Sequence, residues 1–274
     1  MVPRYENNSP IKEDLEPLIE TLETADDWNL RFGAASKLFR LGQERAIDPL
    51  INAIQNDPHP EVRRLACDLL GRLGNPRASW ALIAALRKAL MNHDSTMIYH
   101  TTAALLNIDD DDLVDILLST ISDEQEFIEM RYKAIDLLGK IRNNESIEGL
   151  IALIKNPNTD GRIRSRAIRK LIRTGNLAGL QLILDFLEKT DNITFEKVVV
   201  SAMGKTPFKN QTIILRVGDS LLSILEREEG KGEKKNHELT NLVVHTMTKL
   251  AKNIGLAFKE YIDKILEIRK KQKT

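Results

Sequence analysis

Val62-Arg63-Arg64-Leu65-Ala66-Cys67-Asp68-Leu69-Leu70-Gly71-Arg72-Leu73-Gly74 decides the fold. Val62, Ala66, Leu69 and Leu70 follow the i, i+4, i+7, i+8 spacing of one buried helical stripe. The apolar-Arg-x-x-Ala head of this stretch returns at Leu30 to Ala34, Met130 to Ala134 and Ile163 to Ala167. Ile98 to Thr102 and Val198 to Ala202 keep the small residue but lack the arginine. Successive starts at 30, 62, 98, 130, 163 and 198 lie 32 to 36 residues apart, inside the range of one solenoid repeat. Leu38, Leu70, Leu106, Leu138 and Leu171 extend the stripe eight places on, so each copy is one amphipathic helix.

A second helix precedes each copy. Its apolar pairs are Leu18-Ile19, Leu50-Ile51, Leu82-Ile83, Leu117-Leu118, Leu150-Ile151 and Leu182-Ile183, and Pro17 and Pro49 mark first turns that tolerate a missing N–H. Asp57-Pro58-His59-Pro60 and Asn156-Pro157-Asn158 fall inside units, while Gly74-Asn75-Pro76 and Gly175-Asn176 fall between them. The unit is a helical hairpin. The chain therefore reads as all-α: a right-handed superhelix, or solenoid, of about seven hairpins at 11–45, 46–77, 78–111, 112–145, 146–177, 178–212 and 213–257. Residues 1–10 are expected to be flexible, the charged stretch 226–238 a mobile loop, and 258–274 a capping helix with a basic tail.

The Arg-x-x-Ala-x-x-x-Leu-Gly pattern at Val62 to Gly74 and Met130 to Ile141 resembles HEAT repeats of the short type also found in phycobilin lyases. The resemblance covers residues 11–212 well and 213–257 weakly. It implies a carboxylate before the second helix that pairs with the arginine near its start. Asp57 and Arg63 match that spacing, whereas Gln125 and Asn158 replace the acid before Arg131 and Arg164, so the ladder is expected to be incomplete. It also implies that second helices line the concave side of the array.

Several chemistries fail on the residues. Gly204-Lys205-Thr206 lacks the earlier glycine of a phosphate-binding loop, since Val199 stands there. The five histidines show no i, i+4 pair, and Cys67 has no partner for a disulfide or a zinc site. A single His237-Glu238 pair is too few for the di-iron hydroxylases that share this kind of fold. Asp109-Asp110-Asp111-Asp112 lacks the spacing of a calcium loop and reads as an acidic helix start before Leu113. No cofactor or metal is expected. With no apolar run of membrane length and no signal-like N-terminus, a cytoplasmic protein is expected.

Charge is unevenly placed. Residues 1–150 hold 16 Lys and Arg against 26 Asp and Glu, and residues 151–274 hold 24 against 14. Arg162, Arg166, Arg169 and Arg173 share one helix face and form a candidate basic patch. On second helices, the positions that alternate with the buried stripe give a candidate partner-binding face of Phe32, Phe39, Arg64, Asp68, His100, Asn107, Tyr132, Asp136 and Arg169. The leading expectation is a non-enzymatic scaffold with a protein partner on the concave face. The phycobilin lyase resemblance implies an alternative, a tetrapyrrole-handling protein with a phycobiliprotein partner. A nucleic-acid-binding protein ranks third, because the groove lacks interleaved aromatics and its N-terminal half is acidic.

Overall fold

A computed structural model describes residues 15–108, 110–190 and 192–272. The expected flexible 1–10, Asp109 of the acidic run and the last two residues of the tail lie outside the described residues. All regular structure among the described residues is helical. The helices follow one another in pairs: α1 (Glu16–Thr24) and α2 (Trp28–Gly42), α3 (Ile47–Asn56) and α4 (Pro60–Leu73), α5 (Ser79–Met91) and α6 (Ser95–Asn107), then α7 (Leu113–Ser122) and α8 (Ile128–Ile141). They continue as α9 (Asn144–Lys155) and α10 (Gly161–Thr174), α11 (Leu177–Lys189) and α12 (Ile193–Gly204), α13 (Gln211–Glu229) and α14 (His237–Asn253), and close with α15 (Phe258–Gln272). The chain forms two compact units, residues 1–116 and 117–274.

Second helices pack in series within each unit, α2 on α4 on α6 in the first and α8 on α10 on α12 on α14 in the second. Ala34, Leu38, Val62, Ala66 and Leu70 fill the first core, and Met130, Ala134, Leu138, Ile163, Ala167 and Leu171 begin the second. The two copies without arginine sit one residue out of the expected register. In α6 the buried positions are Met97, Thr101, Thr102, Ala104 and Leu105, with Ile98 and Leu106 half-buried; in α12 they include Val199, Ala202 and Met203, with Val198 half-buried. Thr101 can go inside because its hydroxyl donates to the Met97 carbonyl at 2.6 Å, so no polar atom is left unsatisfied.

The recurrent arginine has a common task. Carbonyls at the end of a helix have no partner within that helix. Arg31 donates to Ala25 O at 2.7 Å, Arg63 to Asp57 O and Pro58 O at 2.8 Å, Arg131 to Ile121 O at 2.7 Å, and Arg164 to Asn156 O at 2.7 Å. Each thus binds the turn inside its own hairpin, and no acid is needed. The expected Asp57–Arg63 carboxylate pair does not form: Asp57 instead receives both arms of Arg31 from the preceding hairpin, at 2.8 and 3.0 Å. Both partners are buried, and breaking such a pair by removing one member costs about 3–5 kcal/mol.

The stretch 226–238, expected as a loop, is largely helical. α13 continues through Glu229, a short 3₁₀ turn spans Gly232–Lys234, and α14 starts at His237. Its charges bond to one another and to the neighbouring hairpin. Buried Glu228 accepts from Lys231 at 2.6 Å and from the Asn236 amide at 2.7 Å, while Arg227 pairs with buried Glu196 of α12. α15 then covers α13: Tyr261 is fully buried and its hydroxyl donates to Ile214 O at 2.6 Å.

Candidate binding face

The aromatic residues expected as open anchors are each covered by a neighbouring side chain. Phe32 is half-buried with Trp28 edge-on at 6.3 Å between ring centres. Phe39 on α2 lies under the Arg72 guanidinium of α4 at 4.5 Å, and Tyr132 on α8 lies under Arg166 of α10 at 4.7 Å. In both units, then, a cation from the next second helix closes over an aromatic ring of the previous one. Such contacts contribute about 0.5–1 kcal/mol at exposed sites and more when dry. They fix the spacing of adjacent hairpins and remove these rings as free anchors.

In the first unit, Asp68 of α4 meets His100 of α6 at 2.7 Å, joining two predicted residues across a helix boundary. Arg64 is half-buried and pairs with Glu61 one turn earlier on its own helix. Asn107 is exposed at the end of α6. A further aromatic contact was missed by pattern reading. His59 stacks on Trp28 with ring centres 4.1 Å apart, and the His59 ring nitrogen Nδ1 accepts the Glu61 amide as the cap of α4.

The second unit holds the more charged cluster. Asp136 of α8 accepts from Arg166 at 3.1 and 2.7 Å and pairs with Lys170 of α10 at 3.0 Å. Burial raises the Asp136 carboxyl, but the hydrogen bonds from Arg166 and Lys170 outweigh it and hold the group below the usual carboxylate range. Lys133, one turn back, is pulled down by burial and by the nearby cations Lys140, Lys170 and Arg166. Positive charge is therefore in excess here even with Asp136 present.

Lys170 reaches Asp136 because Gly139 leaves room. A Cβ at Gly139 would stand 2.0 Å from Lys170 Cγ, so the lysine stem lies directly across the α8 backbone. Gly71 holds the same repeat position in α4. There a Cβ would meet the Ala104 Cα of α6 at 2.6 Å. The Leu-Gly step of the repeat is thus where one second helix approaches the next.

The four arginines read as one patch do not act as one. Arg162 is exposed beside Asp160, its Nε 3.3 Å from the carboxylate, and Arg166 is half-buried against Asp136 and Tyr132. Only Arg169 and Arg173 are exposed and, among the described residues, without an ion pair. They instead share a cleft of about 200 Å³ with Asp136, Arg166, Lys170 and Lys205. Lys205 is set at the C-terminal cap of α12, although in the sequence it belongs only to a failed nucleotide motif. Lys249 and Lys252 of α14 line an adjoining cleft of about 290 Å³ that Lys205 also lines. The overlooked signal was a cation near the end of each second helix of this unit: Lys140, Arg173, Lys205 and Lys252.

Other chemistry stays away from this face. Cys67 is buried, and burial with the Asp68 charge pushes its thiol up to about 12, so it is no thiolate at neutral pH. Among the described residues no group of three His, Cys, Asp or Glu side chains is placed to hold a metal. Among the same residues no helix is long and apolar enough to cross a membrane.

Repeated helical hairpins, four of them with an arginine binding the inner turn, define an α-solenoid repeat protein. The family model for HEAT repeats matches residues 15–90 and 83–163, more than half of the chain, and the chain belongs to the HEAT-repeat family. Among solved structures, the complex of CpcE and CpcF of phycocyanin lyase from Nostoc sp. PCC7120 is similar at 18% identity and a TM-score of 0.36, covering 97% of this chain and 99% of that one. No curated protein matches the chain.

Proposed function

We propose that this protein is a non-enzymatic binding scaffold whose second-helix face in residues 117–274 takes an acidic surface of a protein partner. HEAT repeats suggest a protein-interaction scaffold, and the charge on this face gives the partner its sign. One observation carries the reading: Arg169, Arg173, Lys205, Lys249 and Lys252 stand exposed on three successive second helices without an ion pair among the described residues. The one carboxylate among them, Asp136, is already held by Arg166 and Lys170. A row of unpaired cations raises the association rate with an acidic partner in a salt-dependent way.

The test is capture of partner proteins by immobilised wild-type chain and by two variants. Arg169→Glu with Arg173→Glu should abolish a specific captured protein, which wild-type chain should also lose on going from about 50 to about 300 mM salt as the Debye length shortens. Lys155→Glu, on a first helix, should leave capture intact. Capture that survives the double charge reversal rules the face out.

A further inference from the structure

The two adjoining basic clefts differ from an ordinary solvated face in how their charge is balanced. The cleft between α10 and α12 holds Arg166 and Lys170 already committed to Asp136, and Arg169, Arg173 and Lys205 uncommitted. The next cleft, between the end of α12 and α14, adds Lys249 and Lys252 and has no acidic lining residue. Five unpaired cations thus face two small depressions joined at Lys205. The helix dipole accounts for cations in the last turn, such as Arg173 and Lys252. It does not account for Arg169 or Lys249, which lie outside the last turns of α10 and α14.

The size and charge of the clefts restrict the ligand. Two carboxylates, one per cleft, would leave three of the five cations unbalanced. Two phosphate monoesters carry about −1.5 to −2 each at neutral pH and balance three or four. A nucleic-acid backbone carries one charge per phosphate, no better than a carboxylate, and no aromatic ring lines either cleft to stack a base. Arg169 and Arg173 offer the planar donor forks that match phosphate oxygens two at a time.

We infer that the paired clefts bind two phosphate monoesters carried on one segment of the protein partner, one on Arg169, Arg173 and Lys205 and one on Lys205, Lys249 and Lys252. The inference rests on the scaffold reading above and names the chemistry its basic face selects. Phosphorylation of the partner would then switch docking on.

The test uses the full chain and fluorescein-labelled glycine-serine peptides carrying two phosphoserines at increasing separation, read by fluorescence anisotropy. The same peptides with aspartate or serine at those positions, and a short single-stranded oligonucleotide, serve as comparisons. At one separation the doubly phosphorylated peptide should bind at least ~10-fold tighter than its aspartate counterpart, as charge-assisted paired bonds require. Arg173→Gln and Lys249→Gln, one in each cleft, should each lose most of that gain with an unchanged circular dichroism spectrum, and Lys155→Gln should lose none. Equal binding of phosphoserine and aspartate peptides overturns the phosphate assignment while leaving an acidic-partner scaffold standing. An oligonucleotide that outcompetes every peptide, with the same sensitivity to Arg173→Gln, overturns both readings. Failure of every peptide to bind overturns the inference alone, because partner capture is measured separately.

Discussion

Asp136 joins local packing to the basic face. Its carboxylate is the anion over which Arg166 and Lys170 are folded, and Arg166 in turn covers Tyr132. Because the folded group is held below its usual range, its contribution to stability is present above the unfolded pKa of about 4 and is lost as pH falls through the folded value. Asp136→Asn should therefore lower the thermal midpoint at neutral pH. The gap from wild type should narrow as pH falls below about 4 and through the lowered folded value. A gap that stays constant over that range would show that Asp136 contributes by shape alone. The arginines were visible in the sequence at this scale, but their partners were not. Spacing along the chain placed Asp57 near Arg63, whereas the fold gives the Asp57 carboxylate to Arg31 and leaves Arg63 the backbone carbonyls. A turn carbonyl carries no residue identity, so no pattern of side chains could announce it as the acceptor.

Between elements, the Leu-Gly step sets how close successive second helices come. At Gly71 the neighbour is α6 backbone, which cannot give way, and Gly71→Ala should cost about 1–3 kcal/mol in chemical unfolding, as overpacking does. At Gly139 the neighbour is the flexible stem of Lys170, so Gly139→Ala should cost less and displace the lysine from Asp136. Destabilisation at Gly139 equal to that at Gly71 would mean the Lys170 stem is as fixed as backbone. The pairing of helices was legible because period and breakers agreed. The register of α6 and α12 was not, because Ile98 and Val198 sit beside equally apolar Met97 and Val199 and no arginine marks the start. The stretch 226–238 departs from its expected loop for a different reason. Its charges suggested solvent exposure, yet Arg227 is bonded to Glu196 of the hairpin packed against it and buried Glu228 to Lys231 and Asn236 within the stretch itself.

Over the whole molecule, equal numbers of acidic and basic residues hide a regional imbalance, and the sequence showed this with an excess of ten basic charges over residues 151–274. It did not show which of those cations are free. Helix periodicity places Arg162, Arg166, Arg169 and Arg173 on one side of α10, but packing against α8 decides that Arg166 turns inward, and packing of α12 on α10 brings Lys205, at the end of α12, into the row. The most direct check on the scaffold account is crosslinking of the chain to its captured partner with a lysine-reactive reagent, followed by mass spectrometry. The account predicts crosslinks concentrated at Lys205, Lys249 and Lys252 on the second helices, lost together when salt is raised. Crosslinks concentrated instead at Lys155 and Lys189, exposed at the ends of the first helices α9 and α11, would contradict it.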